Sequence, residues 1–249
     1  VLPVPSFATR THDEEMMDDF SIDDTRLTRA LDNLRYVNRF LGSYAATMKH
    51  LMPLLRVLAD RPVRVLDLAT GVGDFPDYLV CWADRRSVHV DVVGIDINPA
   101  AVAYARQSLD RDLSSALRAR VKIEEGDARA TDYEDDAFDV AVTTHFMHHL
   151  THEQAVQLVR EMDRVSKYGF VVNDLHRHRL AYIGISTLAN LLPVSPMFRH
   201  DGPVSVLRGF KKEELHAIAR EAELEDYNVQ WHWAFRWTLS TVRVPGAAG

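Results

Sequence analysis

An α/β fold, with a mostly parallel sheet and helices on both faces, is what this 249-residue chain predicts. Two observations carry that expectation. Short apolar runs read as buried strands at Val63–Leu68, Val88–Ile95, Val121–Ile123, Phe138–Thr143 and Phe170–Asn173, and all but the third lead into a helical pattern. The first run then passes through small residues and two glycines, Gly71 and Gly73, into the apolar helical face begun by Tyr78, Leu79, Val80 and Trp82. Strand, tight turn and helix N-terminus in that order place a ligand-binding edge at the C-terminal ends of the strands.

Composition sets the outer bounds. A hydrophobic fraction of 47% and a charged fraction of 26% suit one large globular domain with additions. The formal charge of −7 argues against a nucleic-acid partner, for which a basic face is expected. Cys81 is a single cysteine, reads as a small buried hydrophobe, and points to a reducing cytoplasm. No signal peptide is visible in the residues present. Leu180 to Phe198 is uncharged, but Asn190, Pro193 and Pro196 argue against a membrane span.

Residues 1–12 hold two prolines without periodicity and read as loosely attached. Asp13, Glu14, Glu15, Asp18, Asp19, Asp23 and Asp24 follow as a solvated acidic helix start rather than a metal cluster, so 1–24 is expected to be a flexible acidic segment. A helical cover is predicted over 25–60. Leu27, Leu31, Leu34, Val37 and Leu41 face inward up to Gly42. Tyr44, Met48, Leu51, Leu55 and Leu58 do so afterwards, with Pro53 marking a kink or restart.

From residue 61 the main domain begins. In its glycine turn Asp74 is placed to cap the following helix and Pro76 is tolerated in the first turn. The dinucleotide fingerprint requires a small third residue where Pro76 stands, so it fails, and no Gly-Lys-Ser/Thr follows to make a phosphate loop. Asp96 ends the second strand, with Asn98 and Pro99 as cap and first turn of the next helix; an acid there accepts both ribose hydroxyls of an adenosine. Asp127 exits the third strand. Thr151 with Gln154 forms a capping box, and Ala155, Val159, Met162 and Val165 make that helix's inner face.

Asp67-Leu68-Ala69-Thr70-Gly71-Val72-Gly73-Asp74, with Asp96 and Asp127 at the next two strand exits, resembles class I S-adenosylmethionine-dependent methyltransferases. Phe138-Asp139-Val140 followed by His148-His149-Leu150 resembles their small-molecule branch, including the ubiquinone/menaquinone C-methyltransferase group. Thr144-His145-Phe146 stands where nucleic-acid amino-methyltransferases carry Asn/Asp-Pro-Pro-aromatic. The resemblance covers about residues 63–175. It implies a Rossmann-like, mostly parallel seven-stranded sheet with a C-terminal antiparallel strand pair. It also implies S-adenosylmethionine as cofactor, with S-adenosylhomocysteine as product, against Asp67, Ala69, Thr70, Gly71, Gly73, Asp74, Asp96, Ile97, Asp127, Ala128, Thr144 and His145.

The acceptor is expected from the remaining segments. A helical insertion around 176–205 holds Leu180, Ile183, Leu188, Leu191 and Leu192, read either as pocket lining or as core, and then a polar turn, Arg199 to Pro203. Leu215, Ile218, Ala219 and Ala222 make the inner face of a helix over 211–223. Tyr227, Val229, Trp231, Trp233, Phe235, Trp237 and Leu239 all fall on odd positions, predicting two strands with a buried aromatic face and a parity change near residue 240.

Together these readings predict methyl transfer to a small aromatic or apolar acceptor, by O- or C-methylation; oligomerisation stays open. His148 and His149 are the candidate general bases, and His145, His176, Arg199 and His200 the candidate acceptor contacts. Each histidine also reads as an ordinary core or capping residue. His145-x-x-His148-His149 has no carboxylate or cysteine at ligand spacing, so no metal is expected. A non-catalytic cofactor-binding subunit and an NAD-dependent oxidoreductase are the competing readings.

Overall fold

The computed structural model describes residues 5–18, 43–192 and 194–246. Its strands are β1 (Val63–Leu68), β2 (Val90–Asp96), β3 (Val121–Glu125), β4 (Val140–Thr144), β5 (Phe170–Leu175), β6 (Asn228–His232) and β7 (Arg236–Ser240). They form one seven-stranded sheet in the order β3-β2-β1-β4-β5-β7-β6. The first five are parallel, and β7 pairs antiparallel with both β5 and β6, as the resemblance implies. Strand order reverses between β1 and β4. A crevice therefore opens at their C-terminal ends, the place where open α/β sheets take ligands.

Helices cover both faces. On one, Leu51, Leu54 and Leu55 of α1 (Ser43–Val57), Leu79 and Val80 of α2 (Asp74–Asp84) and Ala105 and Leu109 of α3 (Pro99–Asp112) pack on Val65, Val90 and Val92. On the other, Leu158, Val159 and Met162 of α5 (His152–Val165) meet Leu66, Leu68 and Val172, after a short α4 (Ser115–Arg118). All of these residues are buried, and a leucine-sized side chain removed from water contributes about 1.5–3 kcal/mol. Beyond β5 come α6 (Arg179–Leu191), α7 (Pro196–Arg208) and α8 (Lys212–Glu221), the last burying Leu215, Ile218 and Ala219 as its spacing predicts. No described helix is long and apolar enough to cross a membrane.

Several local expectations are met. Asn98 accepts a hydrogen bond from the Ala100 amide with Pro99 beside it, and Thr151 and Gln154 close their capping box. Others are corrected. Gly73, not Asp74, is the N-cap of α2, because its left-handed backbone (φ 70°) starts the helix while the Tyr44 hydroxyl donates to Asp74 Oδ2 at 2.7 Å. Helix α1 runs through Pro53 without restarting, with Pro53 itself on the exposed side of the helix. Arg199 to Pro203 is helical rather than a turn: Ser195 caps α7 by accepting from the Phe198 amide, and Gly202 lets Ile185 of α6 approach. Cys81 is half-buried rather than buried. The inward helix expected from Leu27 to Leu41 lies outside the described residues.

At the C-terminal pair the odd-position argument holds for Leu239, which is buried, and in part for Tyr227, Val229 and Trp237, which pack against the core, but not for two of the tryptophans. Trp231 is 44% and Trp233 75% exposed, while Arg236, Thr238 and Ser240 are buried. Trp233 stands in the link between β6 and β7, and β7 lies inside the sheet between β5 and β6 with α1 on its even-numbered side, where His50 contacts Thr238. The expected loose attachment is also corrected for residues 5–12, residues 1–4 lying outside the described residues. Arg10 donates to the carbonyls of His148, Leu150 and Arg208, and Arg177 to those of Phe7 and Ala8.

Gly169, which introduces β5, adopts φ +98°, and a Cβ there would lie 2.5 Å from the Thr241 carbonyl oxygen. Gly169→Ala should therefore destabilise the chain by at least about 1–3 kcal/mol, read as a lower urea midpoint at unchanged slope.

Candidate active site

The glycine turn is held in a conformation few side chains accept. Ala69, Gly71 and Gly73 have φ of 57°, 53° and 70°. A Cβ at Gly71 would meet nothing within 4 Å, so that stretch of backbone faces open space. Beneath it Asp67 is 1% exposed and accepts from Thr70 Oγ1 at 2.6 Å, while the Thr70 amide donates to the Ile95 carbonyl. Burial pushes the Asp67 carboxyl up to about 8, with Asp74 and Asp96 adding to the effect and the Thr70 hydroxyl opposing it.

Asp96 borders the same crevice. Its Oδ2 accepts from the Gly71 amide at 2.8 Å and its Oδ1 from the Asn98 amide at 2.9 Å. Burial raises its pKa, with the Asn98 and Gly71 amides and the charge of His149 opposing. Each oxygen keeps a second lone pair for a ligand hydroxyl. Ile97 next to it is 50% exposed, an apolar surface beside a polar one. Asp127 is half-buried, takes a two-pronged contact from Arg129, and is held below the usual carboxylate range by it; Ala128 is buried. Thr144 is half-buried at the end of β4. Open glycine backbone, a paired acceptor and an apolar shelf fit a nucleoside carrying a polar tail.

Alongside lies a cavity of about 380 Å³. Leu180, Ile185 and Leu188 of α6 and Phe198 and Val206 of α7 give it apolar walls, with Trp233 at the exposed rim. Its buried end is polar, with His145, His148, His149, Glu15 and Arg236. Asp174, at the end of β5, fixes His148: Oδ1 meets Nδ1 at 2.7 Å and Oδ2 accepts from the His148 amide at 2.9 Å. Burial alone would push the Asp174 carboxyl up, yet His148, His145 and the Leu175 amide together hold it well below the usual range. A carboxylate on Nδ1 leaves Nε2 as the proton-accepting atom of a neutral ring.

His145 is set differently. Its backbone is left-handed (φ 55°), and Nε2 contacts the Arg236 guanidinium and lies 3.3 Å from Ser43 Oγ. Burial, with Arg236 beside it, holds its pKa well below the ordinary value, so the ring is neutral. Because a guanidinium only donates, Nε2 accepts and Nδ1 carries the hydrogen.

The structure thus gathers His145, His148 and His149 around one cavity, and does not bring His176, Arg199 or His200 to it. His176 accepts from Trp231 Nε1, Arg199 donates to the Ala189 carbonyl, and His200 pairs with Asp201. The sequence expectation that no carboxylate joins the histidines is corrected by Glu15. Its Oε1 lies 3.5 Å from His148 Nε2 and 4.0 Å from His149 Nδ1. Arg208 Nη1 stands 3.8 Å from the same oxygen, adding a positive charge beside this group. Sequence reasoning missed Asp174, Glu15 and Arg236. Asp174 carried a usable signal, an acid at the end of a buried strand like Asp96; the other two carried none.

Residues 65–169 match a family model described as a methyltransferase domain. Over 89 residues the chain is 42% identical to the demethylmenaquinone methyltransferase of Deinococcus radiodurans, covering 36% of this chain and 33% of that one. Over 120 residues it is 31% identical to ajmaline N-methyltransferase of Rauvolfia serpentina, covering 48% and 38%. The chain therefore spans about a third of the length of these curated relatives. Its fold is similar to a SAM-dependent methyltransferase from Aquifex aeolicus, with TM-score 0.61, 15% identity and coverage of 90% of this chain and 100% of that. It is also similar to magnesium protoporphyrin IX methyltransferase from Synechocystis with SAH bound, with TM-score 0.54, 14% identity and coverage of 84% and 87%.

Asp67 gives a pH test. Its pKa rises from 3.8 to about 8 on folding, so between those values the folded chain holds a proton that the unfolded chain has released. Stability should then fall as pH rises through that window. Asp67→Asn has no such proton, and its melting temperature should fall less steeply between pH 4 and 8 than that of the wild type; equal slopes would refute the assignment.

Proposed function

We propose that this chain, whose residues 65–169 form a class I S-adenosylmethionine-dependent methyltransferase domain of the small-molecule type, methylates a small acceptor with an apolar body and an ionisable oxygen or carbon. One observation carries the reading: the glycine turn with Asp96 and the histidine-walled cavity open side by side at the same sheet edge. Relatives named for demethylmenaquinone and ajmaline support an acceptor of that size.

In this reading the backbone from Ala69 to Gly73 wraps the methionine part of S-adenosylmethionine, with Asp67 and Asp74 behind it. Asp96 receives the ribose hydroxyls. Ile97, Asp127 and Ala128 surround the base, and Thr144 and His145 close the side toward the acceptor. When bound, the cofactor supplies a methyl already activated on a sulfonium leaving group. The protein's task is then position, which can lower a barrier by about 7–11 kcal/mol, and removal of a proton from a hydroxyl acceptor. His148 takes that proton at Nε2, while Asp174 holds the ring and its tautomer through Nδ1. Asp174 and Glu15 flank the imidazole, so the charge it acquires is met on both sides. The α6–α7 pair, the predicted insertion, supplies the apolar walls that exclude water.

Two measurements test this. Asp96→Ala should weaken S-adenosylhomocysteine binding by roughly tenfold to a hundredfold or more in calorimetry, because bonds to a charged acceptor contribute about 1.5–3 kcal/mol each. An unchanged affinity would sink the cofactor assignment. His148→Gln should lower turnover, followed as S-adenosylhomocysteine release, by about two to four orders of magnitude with cofactor affinity intact. If turnover survives, His148 is a packing residue and no base is needed there.

A further inference from the structure

Glu15, His148 and His149 meet at the buried end of the cavity, and their spacing is not that of hydrogen bonds. Glu15 Oε1 lies 3.5 Å from His148 Nε2 and 4.0 Å from His149 Nδ1, and one donor atom from each of the three residues falls within 4.8 Å of the others. A hydrogen bond between nitrogen and oxygen draws its atoms to about 2.7–3.2 Å. Two atoms bound to one tetrahedral ion at about 2.0–2.1 Å stand roughly 3.4 Å apart instead. Glu15 is 5% and His148 3% exposed, so this is no surface collection of acids. Its members are also held from outside. Asp174 Oδ1, 2.7 Å from His148 Nδ1, turns Nε2 toward Glu15, and a carboxylate behind the imidazole is the common companion of a metal-binding histidine. Ser205 donates to Glu15 Oε2 at 2.8 Å, and Oε1 is the oxygen turned to the rings. His149 stands against His148 with ring centroids 4.2 Å apart, and all three residues line the cavity.

We propose that Glu15 Oε1, His148 Nε2 and His149 Nδ1 form a binding site for a divalent transition-metal ion of the zinc class, with its fourth position open to the cavity. Two imidazoles and one carboxylate select such an ion over magnesium or calcium, which take a shell of oxygens. Glu15 in contact and Asp174 behind His148 together match the charge of a dication. Arg208 Nη1, 3.8 Å from Glu15 Oε1, opposes them and makes the ion exchangeable rather than permanent. The effect on activity rests on the methyl-transfer reading. The ion takes the Nε2 lone pair that otherwise receives the acceptor's proton, so a chain holding the ion has no base there. Metal and proton compete for one pair of electrons, and the site is inhibitory.

The test uses the untagged full chain, stripped with a chelator, with cobalt(II) and zinc(II) as probes. Cobalt should develop the visible absorption of a four-coordinate ion, saturating at one equivalent per chain. Zinc should bleach it, and a large excess of magnesium should not. Glu15→Gln and His149→Gln should each weaken zinc binding in calorimetry by at least about tenfold, with wild-type affinity for S-adenosylhomocysteine as the check on folding. Zinc should also stop S-adenosylhomocysteine release by the wild type, and the chelator should restore it. A wild type that takes up neither ion needs no variant and overturns the proposal, as does a cobalt spectrum that survives in both variants. Bound zinc that leaves turnover unchanged overturns the inhibition. Metal uptake is read without turnover, so a chain that binds zinc there but never releases S-adenosylhomocysteine, even metal-free, strikes the methyl-transfer reading and not the site.

Discussion

A buried carboxylate, Asp174, is the constraint around which the cavity is assembled. It ends β5 at 1% exposure and has three donors: the His148 ring, the His148 amide and the amide of Leu175. Through it the segment after β4 is locked to the end of β5, and the His145 amide reinforces the join by donating to the Asn173 carbonyl. Asn173 in turn donates to the Ser43 carbonyl, tying the start of α1 to the same point. Removing a partner from such a buried ionic contact costs far more than the net worth of the pair, because the remaining charge has lost its hydration. The geometry of the histidines is therefore fixed by polar accounting at one strand end.

Arginines perform a comparable task at the surface of the α6–α8 region. Arg177, 2% exposed, donates to the carbonyls of Phe7, Ala8 and Gly209 and pairs with Glu214. Arg10 lies over the Phe210 ring while donating to carbonyls at His148, Leu150 and Arg208. Planar forks of this kind satisfy several backbone acceptors at once, which a lysine cannot do. Asp201 adds an anionic counterpart by accepting from the amides of Met16 and Met17.

How much of this was legible in the sequence follows from the range of each interaction. The glycine turn, the acid closing β2, the Asn98 cap and the Thr151–Gln154 capping box are local, and periodicity plus cap chemistry located them to within a residue or two. The Asp74 cap failed because a tertiary contact from Tyr44 takes the carboxylate. The aromatic parity at the C-terminus held only in part, Leu239 and Trp237 packing on the core while Trp231 and Trp233 are exposed, because β7 lies between β5 and β6 and its even-numbered side is covered as well. Glu15 looked like one acid in a solvated run, and nothing local distinguishes it from Asp13 or Glu14. Its pairing with histidines far along the chain is set by where Arg10 and Asp201 anchor the strand of backbone between them. Arg236 was hidden among tryptophans for the same reason.

The cavity's polar wall draws on both ends of the sequence, with Glu15 from one and Arg236 from the other. In chain order the glycine turn, Asp96 and Asp127 all precede β4, whereas Arg236 follows β6. Insertion of β7 between β5 and β6 is the event that completes the wall, because Arg236 reaches the histidines only from that register.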